Sequence, residues 1–306
     1  MVKIVQSMPS LSTLLHLRIP FSFFLMPVFF FALANSPNFT ETGIVWTFLI
    51  VHLLLYPASN GFNSYFDKDE KSIGGLKNPP PVRKELYYVA LALDLMAILL
   101  ALKISYLFSM MILIYGLVSK AYSHPAIRLK KYPIAGWLVT GLFQGCFTFL
   151  MCYEGINALG IDSLFKLQTL VPALLTSIML WGNYPMTQIY QHEEDEKHGD
   201  KTLSIVLGIK GTFIFTALIF SLATAGFIAY FIYYFKLDYA IYFIMALSPV
   251  LIYFLFWFYQ VVLDSTKASY SRTMWLNFIS AFCLNGFFIY FFLDSTQVIQ
   301  AIQSGF

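Results

Sequence analysis

Asn63-Ser64-Tyr65-Phe66-Asp67-Lys68-Asp69-Glu70 closes an apolar run over 43–62, and Gln191-His192-Glu193-Glu194-Asp195-Glu196-Lys197-His198-Gly199-Asp200 closes another over 168–190. Of the 16 acidic residues in the chain, three lie in the first stretch and five in the second. Carboxylates gathered at the end of a segment long enough to span lipid hold something, and a divalent cation with an anionic ligand is the natural candidate.

The surrounding composition sets the fold class. The 306 residues are 58% hydrophobic, 19% aromatic and only 11% charged, whereas soluble domains run near a quarter charged. The chain therefore reads as one all-α integral membrane domain over 1–306. A net charge of +3 excludes the basic footprint of a nucleic-acid binder. Cys146, Cys152 and Cys283 lie in apolar segments without CxxC spacing and read as buried thiols. Phe21 to Ala34 ends in Ala32-Leu33-Ala34, which resembles a signal-peptidase site, but the long polar lead and the spans that follow favour a retained first helix.

A spanning helix takes about 20 apolar residues. The sequence offers nine such segments, at 18–35, 43–62, 86–102, 104–121, 134–152, 168–190, 211–234, 239–262 and 274–293. With a cytoplasmic N-terminus, one side carries Lys3, Arg18, Lys68, Lys71, Lys77, Arg83, Lys84, Lys120, Arg128, Lys130, Lys131, Lys197, Lys201, Lys210, Lys267 and Arg272. The other side receives Lys103, Lys166 and Lys236. That asymmetry predicts a multi-pass inner-membrane protein. Both acidic clusters then face the cytoplasm, around a central cavity open to that side, and the C-terminus lies opposite.

If the second helix continues, Asn63, Asp67 and Glu70 share one face. Glu194 and Asp195 would extend the sixth helix similarly, with Gln191 four residues before Asp195. Oxygen donors of this kind suit Mg2+, which binds through one or two carboxylates plus substrate phosphate. Solvated helix ends would carry acids too, but two same-side clusters with a basic loop between them favour the site. In that loop Arg128 and Lys130 would clamp phosphate oxygens, although ordinary cytoplasmic positive charge would place cations there as well. Among polar residues within spans, Asn183 and Gln188 approach the second cluster, Asp94 and Asn285 suit helix–helix hydrogen bonding, and Gln144 and Asn277 complete the set. His124, His192 and His198 are candidate bases or solvated interfacial side chains.

The combination resembles the UbiA family of intramembrane prenyltransferases across nearly the whole chain. That family carries NDxxDxxxD after its second helix and DxxxD after its sixth. Asn63 and Asp67 match the first motif, and Asp195 matches the end of the second. Gly199, Lys201-Thr202-Leu203 and Gly208 are similar to the usual continuation, and Tyr122-Ser123-His124-Pro125 with Arg128-Leu129-Lys130 is similar to the loop between helices four and five. The chain departs at Ser64, Lys71 and Gln191, each of which stands where the family has Asp. Asp69, Glu70, Glu193 and Glu194 are nearby carboxylates that would compensate, and Lys71 would contact diphosphate directly.

The resemblance implies transfer of a prenyl group from a polyprenyl diphosphate to an aromatic or other lipophilic acceptor within membrane lipid. It implies Mg2+ on Asn63, Asp67, Glu70, Glu194 and Asp195, with Asp67, Asp195 and Lys130 catalytic. Arg128, Lys130, Lys71, Tyr122 and Lys201 would hold the diphosphate, and Asn183 and Gln188 would line the acceptor pocket. The 57 Phe, Tyr and Trp residues include candidates to shelter an allylic cation. Two alternatives stay open. A membrane terpene cyclase would keep the pocket and dispense with the acceptor, and a transporter or lipid-binding protein would use the acids for cations. Against a transporter, the charges cluster at the membrane edge rather than at mid-membrane.

Overall fold

The computed structural model describes residues 9–298, so Lys3 and the end of the chain lie outside the described residues. The long helices are α1 (Leu11–Ala34), α2 (Glu41–Asp67), α3 (Glu85–Ala101), α4 (Tyr106–Ser123), α5 (Pro133–Asn157) and α6 (Leu167–Gln188). A short α7 (His192–Lys197) leads to α8 (Leu203–Tyr234), α9 (Leu237–Leu263) and α10 (Tyr270–Ser295). Seven of these are long and apolar enough to cross a membrane. The other two expected spans are present as helices. α3 has 17 residues, and α6 carries Ser177, Asn183, Thr187 and Gln188 within its apolar frame. The protein is a multi-pass integral membrane protein of helices, the architecture that satisfies the backbone internally in lipid.

Local chemistry sets the ends. Thr40 caps α2 by accepting from the Gly43 N–H at 3.0 Å, and Ser105 caps α4 by accepting from the Phe108 N–H at 2.9 Å. α2 contains a wide π turn at Ile50–Leu55 just before Pro57, which lacks an N–H to donate. A second π turn, Leu142–Phe147, sits in α5. α2 stops because Lys68 turns left-handed at φ 52, and α5 stops at Ala158 with φ 50.

The last helix packs on the first and closes the bundle, with α5 and α6 joining its two halves. Phe31 of α1 sits at the centre. Its ring stacks on Phe288 of α10 at 4.6 Å and meets Phe227 of α8 at 5.2 Å and Phe149 of α5 at 5.5 Å. Large apolar side chains such as Leu99, Leu222, Ile252 and Phe282 point outward, as lipid contact requires.

Hydrogen bonds divide the bundle into two ends. At one, Ser10 and Thr13 bond Glu85, His16 meets the Pro80 carbonyl, the loop after α2 meets α7, and the loop after α4 meets Asp200 just beyond it. At the other, Asn157 bonds Ser36 and Asn38, Glu154 accepts from Ser105, and Asp294 pairs with Lys236. Between helices, Asp94 of α3 pairs with Lys120 of α4, and Asn285 of α10 donates to the Phe23 carbonyl of α1 at 3.4 Å. All three cysteines are free thiols.

Gly141 and Gly145 of α5 let α6 approach closely. A Cβ on Gly145 would lie 2.5 Å from Ser177 Cα, and Ser177 Oγ donates to the Gly141 carbonyl at 2.9 Å. Gly145→Ala is expected to destabilise by roughly 1–3 kcal/mol, read as a lower melting temperature in detergent. Gly286→Ala, with no atom within 4 Å of the new Cβ, serves as the neutral control.

Candidate active site

A cavity of about 270 Å³ opens among α1, α2, α4, α5, α6 and α7. Asn63, Asp67, Asp69, Lys130 and Asp195 line its polar end. Asn63, near the end of α2, donates to Asp67 Oδ2 at 2.7 Å and to Ser123 Oγ of α4 at 3.0 Å. Lys130 Nζ lies 2.6 Å from Asp67 Oδ2 and 3.3 Å from Asp200 Oδ2. Arg128 grips Asp200 with a fork, Nε to Oδ1 at 2.7 Å and Nη2 to Oδ2 at 2.8 Å, and its Nη1 is 3.3 Å from Asp67 Oδ1. Arg128 thus backs the site, and Lys130 forms its wall.

The loop that carries these cations is held by its own backbone. Arg128 is left-handed at φ 46, and the Lys201 N–H donates to the Lys131 carbonyl at 3.2 Å. Asp200, missed as a site residue in the sequence, is buried at 2% exposure and joins the α4–α5 loop to the segment beyond α7. Its place in a run of acids hid it, because a charge-rich segment does not reveal which carboxylate turns inward.

Burial drives the electrostatics. It pushes Asp195 up to about 7, against the pull of Lys130 and with Asp200, Asp69 and Asp67 adding repulsion. It pushes Asp69 up to about 6, with Asp67 adding to the rise and Lys130 and His198 opposing it. Burial works against the charge on Lys130, but Asp67 and Asp200 outweigh it and raise the pKa. Four carboxylates, Asp67, Asp69, Asp195 and Asp200, face two cations, Arg128 and Lys130. Excess oxygen donors at the cavity's edge fit a hard dication, which makes Mg2+ chemically compatible with these residues.

Deeper in the cavity, the Tyr122 and Tyr184 hydroxyls hydrogen-bond each other, and Gln188 Nε2 donates to the Tyr184 hydroxyl at 3.0 Å. Gln188 Oε1 is buried without a partner, an acceptor open to a ligand donor. Asn183 and Asn277 line both this cavity and an apolar extension towards Phe227 and Phe288. Gln144 also faces the cavity. Arg18 is a further cavity residue that sequence reading counted only as cytoplasmic charge. Its guanidinium donates to the Gly74 carbonyl at 3.2 Å and the Asn60 carbonyl at 3.3 Å, with no carboxylate at ion-pairing distance among the described residues. A cation two residues before Pro20, at the break in α1, was the available signal.

Other expected residues lie elsewhere. α2 ends at Asp67, so Glu70 does not share the face of Asn63 and Asp67; it is exposed and pairs with Lys197 at 3.0 Å. Lys71 pairs with Glu193 on the surface, away from the cavity. α6 ends at Gln188, so α7 is a separate helix rather than its extension, and Glu194 is buried outside the cavity lining. The Lys201 side chain is exposed. Ser64 is buried outside the lining, whereas Gln191 lines the cavity and also donates to the Ser72 carbonyl at 3.4 Å. Among the described residues no histidine lines the cavity; His192 bonds Ser204 at 2.8 Å and His124 packs on Phe66.

The family model described as the UbiA prenyltransferase family matches residues 24–285. Among solved structures, a UbiA homologue from Archaeoglobus fulgidus bound to GPP and Mg2+ superposes with a TM-score of 0.64 at 17% identity, covering 92% of this chain and 99% of the other. The same homologue bound to DMAPP and Mg2+ gives 0.64 at 18% identity, covering 94% and 99%. A structure of digeranylgeranylglyceryl phosphate synthase gives 0.59 at 17% identity, covering 92% and 98%. These likenesses establish a shared fold. No curated protein matches the sequence.

Asp200→Asn removes half of a buried fork. It is expected to cost roughly 3–5 kcal/mol, the range for breaking a buried ion pair, seen as a clear fall in melting temperature. An unchanged melting temperature would show that Asp200 does not hold Arg128.

Proposed function

The chain belongs to the UbiA prenyltransferase family, and we propose that it transfers a prenyl group from a prenyl diphosphate to an aromatic or other lipophilic acceptor. The carrying observation is the cavity that unites Asn63, Asp67 and Asp195 with Lys130 and Arg18, oxygen donors on one side and cations on the other. In this reading the chain is one domain over 1–306. α1–α6 and α8–α10 make nine spans, and the cavity end is cytoplasmic, where 16 of the 19 Lys and Arg residues fall.

Asn63, Asp67 and Asp195 would hold Mg2+, in keeping with the Mg2+ and prenyl diphosphates of the Archaeoglobus homologue. When bound, the ion would neutralise charge on the departing diphosphate. Lys130, a point charge on Asp67, would turn towards the diphosphate. Arg128 would stay on Asp200 and hold the loop. Arg18, free of carboxylates, would meet the diphosphate from α1. As the C–O bond breaks, its electron pair leaves with diphosphate and an allylic cation remains. Tyr56, Tyr115 and Phe143 line the cavity, and their rings would stabilise that charge. The acceptor forms the new bond and releases a proton. Tyr122, Tyr184, Asn183 and Gln188 would orient its polar head, and the apolar extension beside Asn183 would take its tail.

The neutral residues at Ser64 and Gln191 favour testing a terpene cyclase as the second reading. With a prenyl diphosphate and Mg2+, transfer predicts no cyclic hydrocarbon or terpenol until an acceptor is added; such a product without acceptor would favour cyclisation. Mass spectrometry of co-purifying lipids would name the acceptor. Asp67→Asn with Asp195→Asn should lower transfer on the order of a hundredfold or more, the equivalent of several kcal/mol of charge stabilisation. Full activity in the double variant would sink the metal-site reading. Arg18→Gln should raise KM for prenyl diphosphate roughly tenfold, the scale of one charge-assisted hydrogen bond; an unchanged KM would remove Arg18 from the diphosphate site.

A further inference from the structure

A rung of aromatic rings closes the deep end of the cavity. Tyr56 of α2, Tyr115 of α4 and Phe143 of α5 line it, and the residues a turn deeper in each helix, His52, Ile112 and Phe147, do not. The rings are continuous, with the Tyr56 centroid 5.9 Å from that of Tyr115 and the Tyr115 centroid 6.4 Å from that of Phe143. They are also backed from below. His52 meets the Tyr56 ring edge-on at 5.2 Å, Phe147 packs on Phe143 at 4.8 Å, and both His52 and Ile112 are buried. The two π turns, Ile50–Leu55 and Leu142–Phe147, supply His52, Phe143 and Phe147, so the widened turns build the floor.

Helix geometry gives the depth above that floor. The oxygen donors begin at Asn63, and Arg18 reaches the Asn60 carbonyl at 3.3 Å. At about 1.5 Å of rise per residue, Tyr56 lies roughly 6 Å below Asn60 and roughly 10 Å below Asn63. An extended isoprene unit advances by four carbon–carbon bonds, roughly 5 Å at ordinary bond lengths. One or two units fill the depth, and a third meets the rung. The side leg past Asn183 adds little room. It measures about 60 Å³ against about 270 Å³ for the main cavity, and the buried rings of Phe227 and Phe288 line it.

We propose, resting on the reading of this cavity as a prenyl diphosphate site, that the donor is short, dimethylallyl or geranyl diphosphate, and that Tyr56, Tyr115 and Phe143 set the limit. A longer chain would have to displace rings already held against His52 and Phe147, and a close-packed interior resists added methylenes.

Isothermal titration of the purified full-length protein in detergent with Mg2+ tests the limit, using the dimethylallyl, geranyl, farnesyl and geranylgeranyl S-thiolodiphosphates, which ionise poorly. The dimethylallyl or geranyl analogue is expected to bind at least tenfold more tightly than the two longer ones. Tyr56→Ala and Tyr115→Ala should each raise affinity for the farnesyl analogue at least tenfold, a gain that unfolding cannot mimic. Equal or tighter binding of the longer analogues by the wild type would overturn the limit and leave the diphosphate site standing, as would the absence of a gain in both variants. Binding of none of the four would remove the diphosphate site itself, and the limit with it.

Discussion

Asp67 on the last turn of α2 and Asp200 just beyond α7 are drawn together by two cations from the loop between α4 and α5. Lys130 bridges both carboxylates, while Arg128 forks onto Asp200 and reaches Asp67. Three separate parts of the chain therefore meet through one buried set of charges. Each carboxylate would be costly alone at the edge of hydrocarbon, and each cation likewise. Together they fix where α2 ends relative to α7, and hence where Asp195 stands opposite Asn63. The two ions also differ in freedom. Arg128 is committed by a fork, but Lys130 holds by a point charge and can exchange one anion for another.

The far end of the bundle is built differently. Phe31 brings together α1, α5, α8 and α10 through ring contacts, and Asn157, Glu154 and Asp294 are satisfied by neighbours. The cavity end instead keeps acceptors without partners, among them Gln188 Oε1 and Asn277 Oδ1. Acceptors without partners that line a cavity mark where a ligand's donors can be met. The two π turns, in α2 and α5, lie in helices that line the cavity, where a widened turn re-aims side chains such as Tyr56 and Phe143.

Much of this was legible in the residues. Asn63 and Asp67 are four apart within a helix, so their shared face follows from the period, and the asymmetry of Lys and Arg brought both clusters to one end. Glu70 and Glu194 were misplaced for one reason. Their assignment assumed helices running through the acidic stretches, yet Lys68 turns left-handed and α6 gives way after Gln188. Helix ends are set by capping and tertiary contacts that period alone does not carry. Arg18 was hidden differently, because a cation near a span's start reads as topology whether it faces water or a cavity. Asp200 was hidden by its acidic neighbours, since only the fold selects which carboxylate turns to Arg128.

The departures at Ser64, Lys71 and Gln191 gain a physical meaning from their surroundings. Lys71 lies at the seam between the loop after α2 and α7, where it pairs with Glu193, and Gln191 stands at the cavity's edge and donates to Ser72. Asp at both positions would bring two more anions to a region that already holds Asp67, Asp69, Glu194, Asp195 and Asp200. Repulsion at that density would spread the seam or require further cations to close it. A lysine and a glutamine close it with an ion pair and a hydrogen bond instead. Ser64, packed outside the lining, removes a third charge without removing a ligand from the cavity. The cavity keeps Asn63, Asp67, Asp69 and Asp195 as oxygen donors beside Lys130, a set compatible with Mg2+.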